Sequence, residues 1–192
     1  MDFGDLKKLR FEFARDAVGD LELSDEAMAM LKANPTTPDF LGACVEQGLL
    51  ADAVRVMAIA LPRREAVWWA CLNARAARRD DDPAVRLKAL ESAERWVFKP
   101  TEAERNKTYE LADIARFDCP ESYAAIAAFW SGGSMAPPES AVAVPPGDAL
   151  TGTAAAAAVL LAAAREPKTI EAWYRRALEQ AIDIAKGGSG RV

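Results

Sequence analysis

The sequence predicts an all-α protein: a single compact multi-helix domain of about seven to nine helices, built from helical hairpins. Three observations lead to this fold class. Apolar residues recur at helical spacing through most of the chain, and capping residues, glycines and prolines separate the periodic segments. The 192 residues are 51% apolar, which is enough for one buried core.

Residues 1–23 form an N-terminal segment whose structure the sequence leaves open. Leu9, Phe11 and Phe13 alternate with charged residues, as they do in a strand, whereas Leu6, Leu9 and Phe13 fit a helix equally well. In either conformation the two phenylalanines need cover from the domain or from a partner.

The helical domain is expected to begin at residue 24. Ser24 precedes two acidic residues, as an N-cap does, and Thr37-Pro38 places a proline in the first turn of the next helix. Pro62 ends a third helix and restarts the chain as the second arm of a helical hairpin. The first four helices are therefore expected over residues 24–32, 37–48, 49–60 and 63–79.

Three more helices are expected in the middle of the chain. Asp82-Pro83 is a cap followed by a first-turn proline, and Lys99-Pro100 ends the helix that it opens. Thr101 and Glu104 have the spacing of a capping box. We interpret Asp80-Asp81-Asp82 as a solvated turn between helices. The three helices span residues 82–97, 101–118 and 120–130.

A crossover rich in proline and glycine, at residues 132–147, precedes the last two helices. It contains four prolines, which favour turns or polyproline conformation over helix: Pro137, Pro138, Pro145 and Pro146. Residues 148–166 are almost entirely Ala, Val and Leu, so this helix should be buried, while residues 169–186 read as amphipathic. The domain ends at residue 186, and residues 187–192 are expected to be a disordered tail.

The amino-acid composition disfavours several classes of function. The chain has no histidine, which removes the commonest general base and the commonest metal ligand, so we expect a non-enzymatic protein without metal or cofactor. The net charge is −5 and no basic cluster appears in the sequence, which disfavours nucleic acid as a partner.

Two further features of the sequence bear on where the protein is located and on the state of its cysteines. The longest apolar run, residues 154–164, is too short to cross a bilayer, and the first residues do not resemble a signal peptide, so we expect a cytoplasmic protein. Cys44, Cys71 and Cys119 lack metal-binding or redox spacing and are expected to be reduced, buried thiols.

The helix over residues 63–79 begins with an unusual set of side chains. Its apolar arc is wide and carries adjacent tryptophans, so we expect it at the centre of the core. Arg63 and Arg64 stand at its start, where the helix dipole disfavours positive charge. The core candidates of the chain are Trp68, Trp69, Leu72, Trp96 and Trp173.

Two interpretations of these arginines stay open. In the structural one they are solvated or bridge Glu65, Glu46 or Asp52. In the functional one Arg63, Arg64 and Arg75 bind a carboxylate, a phosphate or a partner's acidic patch beside the tryptophans. Glu65 is the nearest residue to a catalytic candidate, but no second acid or nucleophile is placed beside it by spacing, so no catalytic residue is predicted.

A second candidate interaction site begins at Trp130 and Ser131. They are followed by Gly132-Gly133-Ser134, which lacks the Lys-Ser/Thr of a phosphate-binding loop and falls at a helix end, where carbonyl groups rather than amides are free. We interpret the glycines as a helix stop that leads into the crossover. The aromatic residue beside the turn remains a candidate contact for a partner.

Two stretches carry a resemblance to a known family. They are LPRREAVWWACL at residues 61–72 and AAFWSGGS at residues 127–134, with the Pro-rich stretch and Ala-rich helix after them. The chain resembles a bacterial family of helical proteins, a domain of unknown function, over roughly residues 40–187. The resemblance implies an accessory role near type VI or related contractile secretion systems, and it implies no site residues.

Two functions from different classes remain. The first is a protein–protein interaction module, an adaptor or chaperone-like accessory protein that binds secretion cargo, a spike component or another protein. The second is a helical domain that binds a small molecule or anion with Arg63 and Arg64 beside Trp68 and Trp69. A homo-oligomer is compatible with either one.

Overall fold

The computed structural model describes residues 1–19, 21–137 and 140–192. Within these residues the regular structure is helical, apart from one isolated bridge between Phe13 and Thr36. The all-α prediction and the single compact domain are confirmed. The α-helices are α1 (Ala14–Val18), α2 (Asp25–Met30), α3 (Thr37–Glu46), α4 (Leu50–Ala60), α5 (Arg63–Ala76), α6 (Ala84–Phe98), α7 (Glu102–Ile114), α8 (Pro120–Phe129), α9 (Leu150–Ala164) and α10 (Ile170–Lys186).

Three of the described α-helices, α2, α3 and α7, begin at a residue whose side chain caps them. The hydroxyl oxygens of Ser24 and Thr101 each accept a hydrogen bond from the amide three residues further on, so α2 and α7 start at the predicted caps. The cap of α3 is Thr36 rather than Thr37, and Pro38 lies in the first turn. Because the ends shift by only a few residues, the predicted segments keep their helical type.

Helix α9 lies at the centre of the domain, with α4, α5, α8 and α10 packed around it. Nine of its residues are buried, as the apolar sequence predicted. The expected hairpin of α4 and α5 is not a packed pair, since both helices pack against α9 instead. Leu61 and Pro62 are extended between them, which turns α5 away from α4. At Gly152, an added Cβ would lie 2.7 Å from the Cα of Ile59, so glycine permits the close approach of α9 to α4.

Two groups of helices surround this centre. Helices α6, α7 and α8 pack on one another on one side, and α8 joins them to α9 and α5. Helix α10 packs on α4, α5 and α9 from the other side. Trp69 on α5 and Leu178 on α10 are fully buried, so the inner faces of these helices form part of one continuous core.

The N-terminal segment lies on the domain and is joined to it by backbone hydrogen bonds. The amide of Lys8 donates to the carbonyl oxygen of Ala185 at 2.9 Å, and the amide of Arg10 donates to that of Ala60 at 2.8 Å. The side chain of Phe3 is buried. Residues 11–13 are not helical, and α1 follows them directly, so the segment is neither the single strand nor the single helix that periodicity allowed.

The crossover leaves α8 and returns to α9 without a helix in its described residues. It closes on itself, because the amide of Met135 donates to the carbonyl oxygen of Val144 at 2.7 Å. The hydroxyl oxygen of Ser134 accepts a further bond from the Val144 amide at 3.0 Å. Pro138, one of the four predicted crossover prolines, lies outside the described residues. Across the described ranges, no helix has the length and apolar character needed to span a membrane.

Candidate functional site

Arg63 and Arg64 are both engaged within the chain. The guanidinium of Arg63 donates to the carbonyl oxygen of Ser131 at 3.1 Å and to a carboxylate oxygen of Asp148 at 2.6 Å. Nε of Arg64 donates to the carbonyl oxygen of Val97 at 2.7 Å, in the last turn of α6. These partners differ from the Glu65, Glu46 and Asp52 expected from the sequence.

The position of Arg64 resolves the conflict with the dipole of α5. A positive charge is unfavourable at a helix N-terminus and favourable at a C-terminus, where it also satisfies free carbonyl groups. Arg64 extends from the start of α5 to the end of α6, so it stabilises the neighbouring helix rather than its own. Its side chain remains exposed, and the structure describes no carboxylate within salt-bridge distance of it.

Glu65 bridges α5 to the N-terminal segment. One of its carboxylate oxygens lies 3.4 Å from Nζ of Lys8, and a quarter of its side chain is exposed. It is the one carboxylate among the described residues that line the cavity on this side of α5. This arrangement places no second acid beside Glu65, which a pair of carboxylates for acid–base chemistry would require.

The two adjacent tryptophans of α5 have different environments. Trp69 is fully buried and its indole N–H donates to the carbonyl oxygen of Ala177 on α10 at 2.7 Å. Trp96 is also in the core, whereas Trp68, Leu72 and Trp173 are half-buried at its edge. The prediction that all five are core residues is therefore too broad, because successive residues on α5 point about 100° apart and only the Trp69 side faces α10.

A buried polar network holds α5 and α10 together beside Trp69. Asn73, which is 3% exposed, donates to the side-chain oxygen of Gln180 at 3.1 Å. Its own side-chain oxygen accepts from the indole N–H of Trp173 at 3.0 Å. Since buried polar groups without partners are costly, these paired groups fix the register of α5 against α10.

Trp68 is half-exposed and makes an aromatic pair with the last residue of α6. Its ring centroid lies 5.7 Å from that of Phe98, with an edge-to-face angle of 67°. Phe98 is 71% exposed, the largest exposure among the aromatic residues described. Single exposed apolar residues are common, but an exposed aromatic packed on a second aromatic is typical of contact surfaces.

Residues 187–192, which the sequence predicts to be a disordered tail, include two residues that contact Trp68, namely Ser189 and Arg191. The carbonyl oxygen of Ser189 accepts from the indole N–H of Trp68 at 2.8 Å, and the guanidinium carbon of Arg191 lies 5.6 Å from the Trp68 ring centroid. The amide of Gly190 donates to the carboxylate of Asp183 at 2.8 Å. We name residues 187–192 the C-terminal strap.

Glycine is needed at the buried position of the strap. Gly190 has a φ of +73°, and an added Cβ would lie 2.8 Å from side-chain carbons of Leu72 and Ile184. A run of glycines favours disorder, but at Gly190 the absence of a side chain allows close packing.

Two cavities flank the aromatic pair. One, of about 430 Å³, lies between α5, the end of α6 and the strap, and the other, of about 600 Å³, lies between α5, α6 and α10. Together with the pair they form what we name the Trp68–Phe98 surface. Its charged and aromatic residues are Lys8, Arg64, Glu65, Trp68, Arg75, Glu94, Phe98, Arg176 and Arg191.

Arg75 belongs to this surface but is paired. Its Nε and one terminal nitrogen donate to the two carboxylate oxygens of Glu94, each at 2.6 Å. The hydrogen bonds that Arg75 donates to Glu94 raise the pKa of Arg75, and burial acts in the opposite direction. The bidentate geometry leaves Arg75 less available to a ligand than Arg64, Arg176 or Arg191.

Trp130 and Ser131 lie at the end of α8, away from the Trp68–Phe98 surface. Their carbonyl groups, with that of Phe129, are bound by side chains from three other helices. Arg105 of α7 donates to Phe129 at 2.6 Å, Thr151 of α9 to Trp130 at 2.9 Å, and Arg63 of α5 to Ser131. The turn after α8 therefore has a structural role, in which carbonyl groups without a partner inside the helix accept hydrogen bonds from side chains of other helices.

Arg105 explains the double glycine after α8. It is 3% exposed, its guanidinium carbon lies 4.6 Å from the ring centroid of Phe129, and it donates to the carbonyl oxygen of Ser134 at 3.0 Å. Gly133 has a φ of +63°, and an added Cβ would lie 2.6 Å from a guanidinium nitrogen of Arg105. The Trp130–Ser134 turn thus wraps around a buried arginine.

A buried ionic cluster was missed by the sequence reasoning. Glu121 is fully buried, and the guanidinium of Arg165 donates to both of its carboxylate oxygens, at 2.9 and 3.2 Å. Arg165 also donates to Asp82 and to the carbonyl oxygen of Ala77, each at 2.8 Å. The cluster ties the start of α8 to the end of α9 and to the turn before α6.

Asp82 is therefore not the solvated turn residue that was predicted. Its side chain is only 9% exposed, and besides Arg165 it lies 3.2 Å from Arg86. Burial raises the pKa of Asp82, but the amide of Arg79 and the two guanidinium groups outweigh it and hold the pKa below 3.8. The first two residues of the run, Asp80 and Asp81, are exposed, as the prediction of a solvated turn requires.

The three cysteines are buried free thiols, as their apolar context predicted. Burial raises the pKa of Cys44 to about 12 and raises that of Cys71 well above its usual value. Burial also raises the pKa of Cys119, although Ser122 opposes it. Reactive cysteines need a lowered pKa and access to solvent, so none of these thiols is suited to catalysis.

A larger groove of about 870 Å³ lies between the N-terminal segment, α4 and α9. Its walls are mainly apolar, with Ile59 and Leu160 on the helices and Phe11 and Leu21 opposite them. Its charged residues carry a net charge of −2, since the three carboxylates of Asp16, Glu22 and Asp148 face the single guanidinium of Arg55. In the parts of the chain that the structure describes, no group of three or more acidic or cysteine residues is arranged to hold a metal ion.

The comparisons with known proteins identify one family. The model described as a family of unknown function (DUF6931) matches residues 40–185. No curated protein and no solved structure matches the chain. The match includes α4 to α9, both motif stretches and nearly all of α10, while the N-terminal segment and the C-terminal strap lie outside it.

Proposed function

Because the chain belongs to the DUF6931 family, whose function is unknown, we propose its function from its own surface: it is a protein–protein interaction module without catalytic activity. The Trp68–Phe98 surface is the observation that supports this proposal. It presents an exposed aromatic pair with guanidinium groups around it, the residue types that are enriched in contact sites. Covering the side chain of Phe98 alone would contribute roughly 1.5–3 kcal/mol to binding.

The chemistry of the remaining residues fits this proposal better than it fits catalysis. Glu65, the single catalytic candidate, is paired with a lysine and lacks a second acid. The chain contains no histidine, and its cysteine thiols are buried. A binding surface needs none of these groups, whereas acid–base or nucleophilic catalysis needs an activated one.

We propose further that the protein acts in the bacterial cytoplasm as an adaptor or chaperone-like accessory protein of a secretion system. The resemblance carried by residues 61–72 and 127–134 is the support for this finer assignment. The partner is then secretion cargo or a component of the secretion spike. The identity of adjacent genes and of co-purified proteins tests the assignment directly.

Co-purification from the native host tests the interaction module. The tagged chain should retrieve a partner in stoichiometric amount, and light scattering after size exclusion should give the mass of a complex. Phe98→Ala should reduce retrieval at least tenfold, whereas Ile114→Ala, at a residue that is 62% exposed on α7, should leave it unchanged. A monomer that retrieves no stoichiometric partner would refute the proposal.

The second candidate function is binding of a small molecule or anion. The two cavities beside Trp68 support it, because their volumes lie within the range of small-ligand sites. The site differs from the one expected, since Trp69 is buried and Arg63 is bound to Ser131 and Asp148. Of the four expected residues, Arg64 and Trp68 remain available to a ligand. Tryptophan fluorescence should then change on titration with phosphorylated or carboxylated metabolites, and Trp68→Phe should remove the change. A flat response in the wild type would exclude this function.

A further inference from the structure

The Trp68–Phe98 surface carries an excess of positive charge. Five basic side chains line its cavities against the two carboxylates of Glu65 and Glu94, an excess of three charges. Each carboxylate is already paired with a cation, Lys8 or Arg75. Among the described residues, Arg64, Arg176 and Arg191 have no carboxylate within 4 Å. In a chain of net charge −5, this local excess is a property of the fold, since the five residues come from distant parts of the sequence.

The same surface already holds a peptide segment of the chain itself. The C-terminal strap lies along α5 and α10, where its backbone accepts a hydrogen bond from Trp68 and its Arg191 covers the Trp68 ring. The strap therefore adds a guanidinium to the rim and closes one side of the smaller cavity. Phe98 stays open beyond it, which leaves an apolar contact in the middle of a basic rim.

We propose that the Trp68–Phe98 surface binds an acidic segment of a partner protein, with an apolar side chain packed on Phe98 and carboxylates at Arg64, Arg176 and Arg191. This inference rests on the proposed interaction function and adds the chemistry of the partner. Charge complementarity selects the occupant, because three guanidinium groups without a carboxylate partner favour carboxylates and disfavour basic or neutral segments.

A nucleic acid fits the surface less well than an acidic peptide does. Its phosphates carry a charge at every nucleotide, and the carboxylates of Glu65 and Glu94 lie within the surface. The net charge of −5 would repel a polyanion that extends beyond the small basic area. A peptide can place its carboxylates at the three arginines alone and apolar residues elsewhere.

Charge reversal with a matched control tests the proposal. The partner retrieved by the wild-type chain is purified, and its affinity is measured by calorimetry for Arg176→Glu/Arg191→Glu and for Lys32→Glu/Lys107→Glu. Both pairs change the net charge equally and all four residues are exposed, but the lysines line neither cavity. We expect at least a 100-fold loss for the arginine pair and less than a threefold change for the lysine pair.

Two further measurements identify the chemistry of the occupant. Raising the salt concentration from 50 to 500 mM should weaken wild-type binding at least tenfold, because exposed charges are screened. A photo-crosslinking residue at position 98 should label the partner, and mass spectrometry should place the cross-link within a segment of net negative charge. Thermal unfolding checks that the variants are folded, since both arginines are exposed and their replacement should leave the midpoint nearly unchanged.

The outcomes separate the inference from the function on which it rests. If the wild type retrieves no partner, the proposed function fails. If a partner is retrieved but binds the arginine variant as tightly as the wild type, or if the cross-linked segment is neutral or basic, the function stands and this inference is wrong. Submicromolar binding of a labelled 20-nucleotide dT strand that the arginine variant loses would also overturn it, in favour of a nucleic acid.

Discussion

Replacing Arg165 by methionine should destabilise the fold by about 3–5 kcal/mol, which is the cost of leaving a buried charge without its partner. Glu121 is fully buried, and the guanidinium of Arg165 binds both of its oxygens. Methionine keeps much of the side-chain volume but supplies no donor to Glu121, Asp82 or Ala77. For a chain of this size the midpoint of thermal unfolding should fall by roughly 6–20 °C.

A double-mutant cycle separates the charge from the packing at this site. Glu121→Gln leaves a neutral side chain of the same shape. In that background, Arg165→Met should lower the free energy of unfolding by about 2 kcal/mol less than it does in the wild type. Urea unfolding followed by circular dichroism gives the four free energies. Arg175→Met is the control, because Arg175 pairs with Glu171 at the surface and its loss should cost at most about 0.5 kcal/mol.

The result that would refute this reasoning is specific. A loss below about 1 kcal/mol for Arg165→Met would mean that Glu121 finds solvent or another donor after the change. Strictly additive free energies in the cycle would mean that the two residues do not interact, whatever their distance. Either finding would reassign the cluster from a stabilising ion pair to a group of side chains that merely lie close together.

Three other properties can be checked with single measurements. The pKa of Asp82 is held below 3.8, so its contribution to the stability of the fold is present above that pH and is lost as the pH falls. Asp82→Asn should therefore lower the free energy of unfolding at pH 7, and this free energy should then fall less steeply between pH 4 and pH 2 than it does in the wild type. Gly152→Ala should cost about 1–3 kcal/mol because its Cβ would meet the backbone of α4, whereas Gly132→Ala, where nothing lies within 4 Å, should cost less than about 0.5 kcal/mol. The three cysteine thiols should resist an aromatic disulfide reagent in the folded protein and all react in guanidinium chloride.

Each of these predictions has an outcome that contradicts it. Parallel acid-unfolding curves for wild type and Asp82→Asn would show that the carboxylate does not titrate differently in the folded state. Equal stabilities of Gly152→Ala and Gly132→Ala would show that α9 can shift away from α4 at little cost. Rapid reaction of even one thiol in the native protein would show that its helix opens on the timescale of the assay.

Local patterns were sufficient to predict α2 to α10, but not the short α1, because the causes of these helices are local. Ser24 and Thr101 cap helices through bonds to residues three positions away, and the buried character of α9 follows from its own composition. The position of a helix in the domain depends on distant residues. The packing of α4 and α5 against α9 instead of against each other illustrates this, since it depends on an approach permitted by Gly152.

The candidate site was predictable in part. Arg64, Arg75 and Trp68 do lie at one surface, because they share a face of one helix. Phe98 and Arg191 could not be added from the sequence, since they are brought there by the end of α6 and by the C-terminal strap. The strap itself depends on Asp183 and on the indole of Trp68, which is 121 residues from its bonded partner.

The burial of Asp82 could not be predicted either, because it depends on a residue that is distant in the sequence. A run of three aspartates ordinarily faces solvent, and the nearby partner Arg86 is equally compatible with an ion pair at the surface. Its partner Arg165 is 83 residues away, beyond the crossover. Ion pairs between distant segments leave no periodic pattern, so single-sequence reasoning detects the charges but not their pairing.

The three side chains that bind the carbonyl groups at the end of α8 also bear on how the family can vary. Arg63, Arg105 and Thr151 hold the exit from α8 and the entry to α9 without using residues 135–144. Closing a loop between two fixed ends costs only about 0.6 kcal/mol for each doubling of its length. Insertions and deletions among relatives should therefore accumulate between these anchors, where a lineage can lengthen, shorten or replace the loop while the helices on either side keep their places.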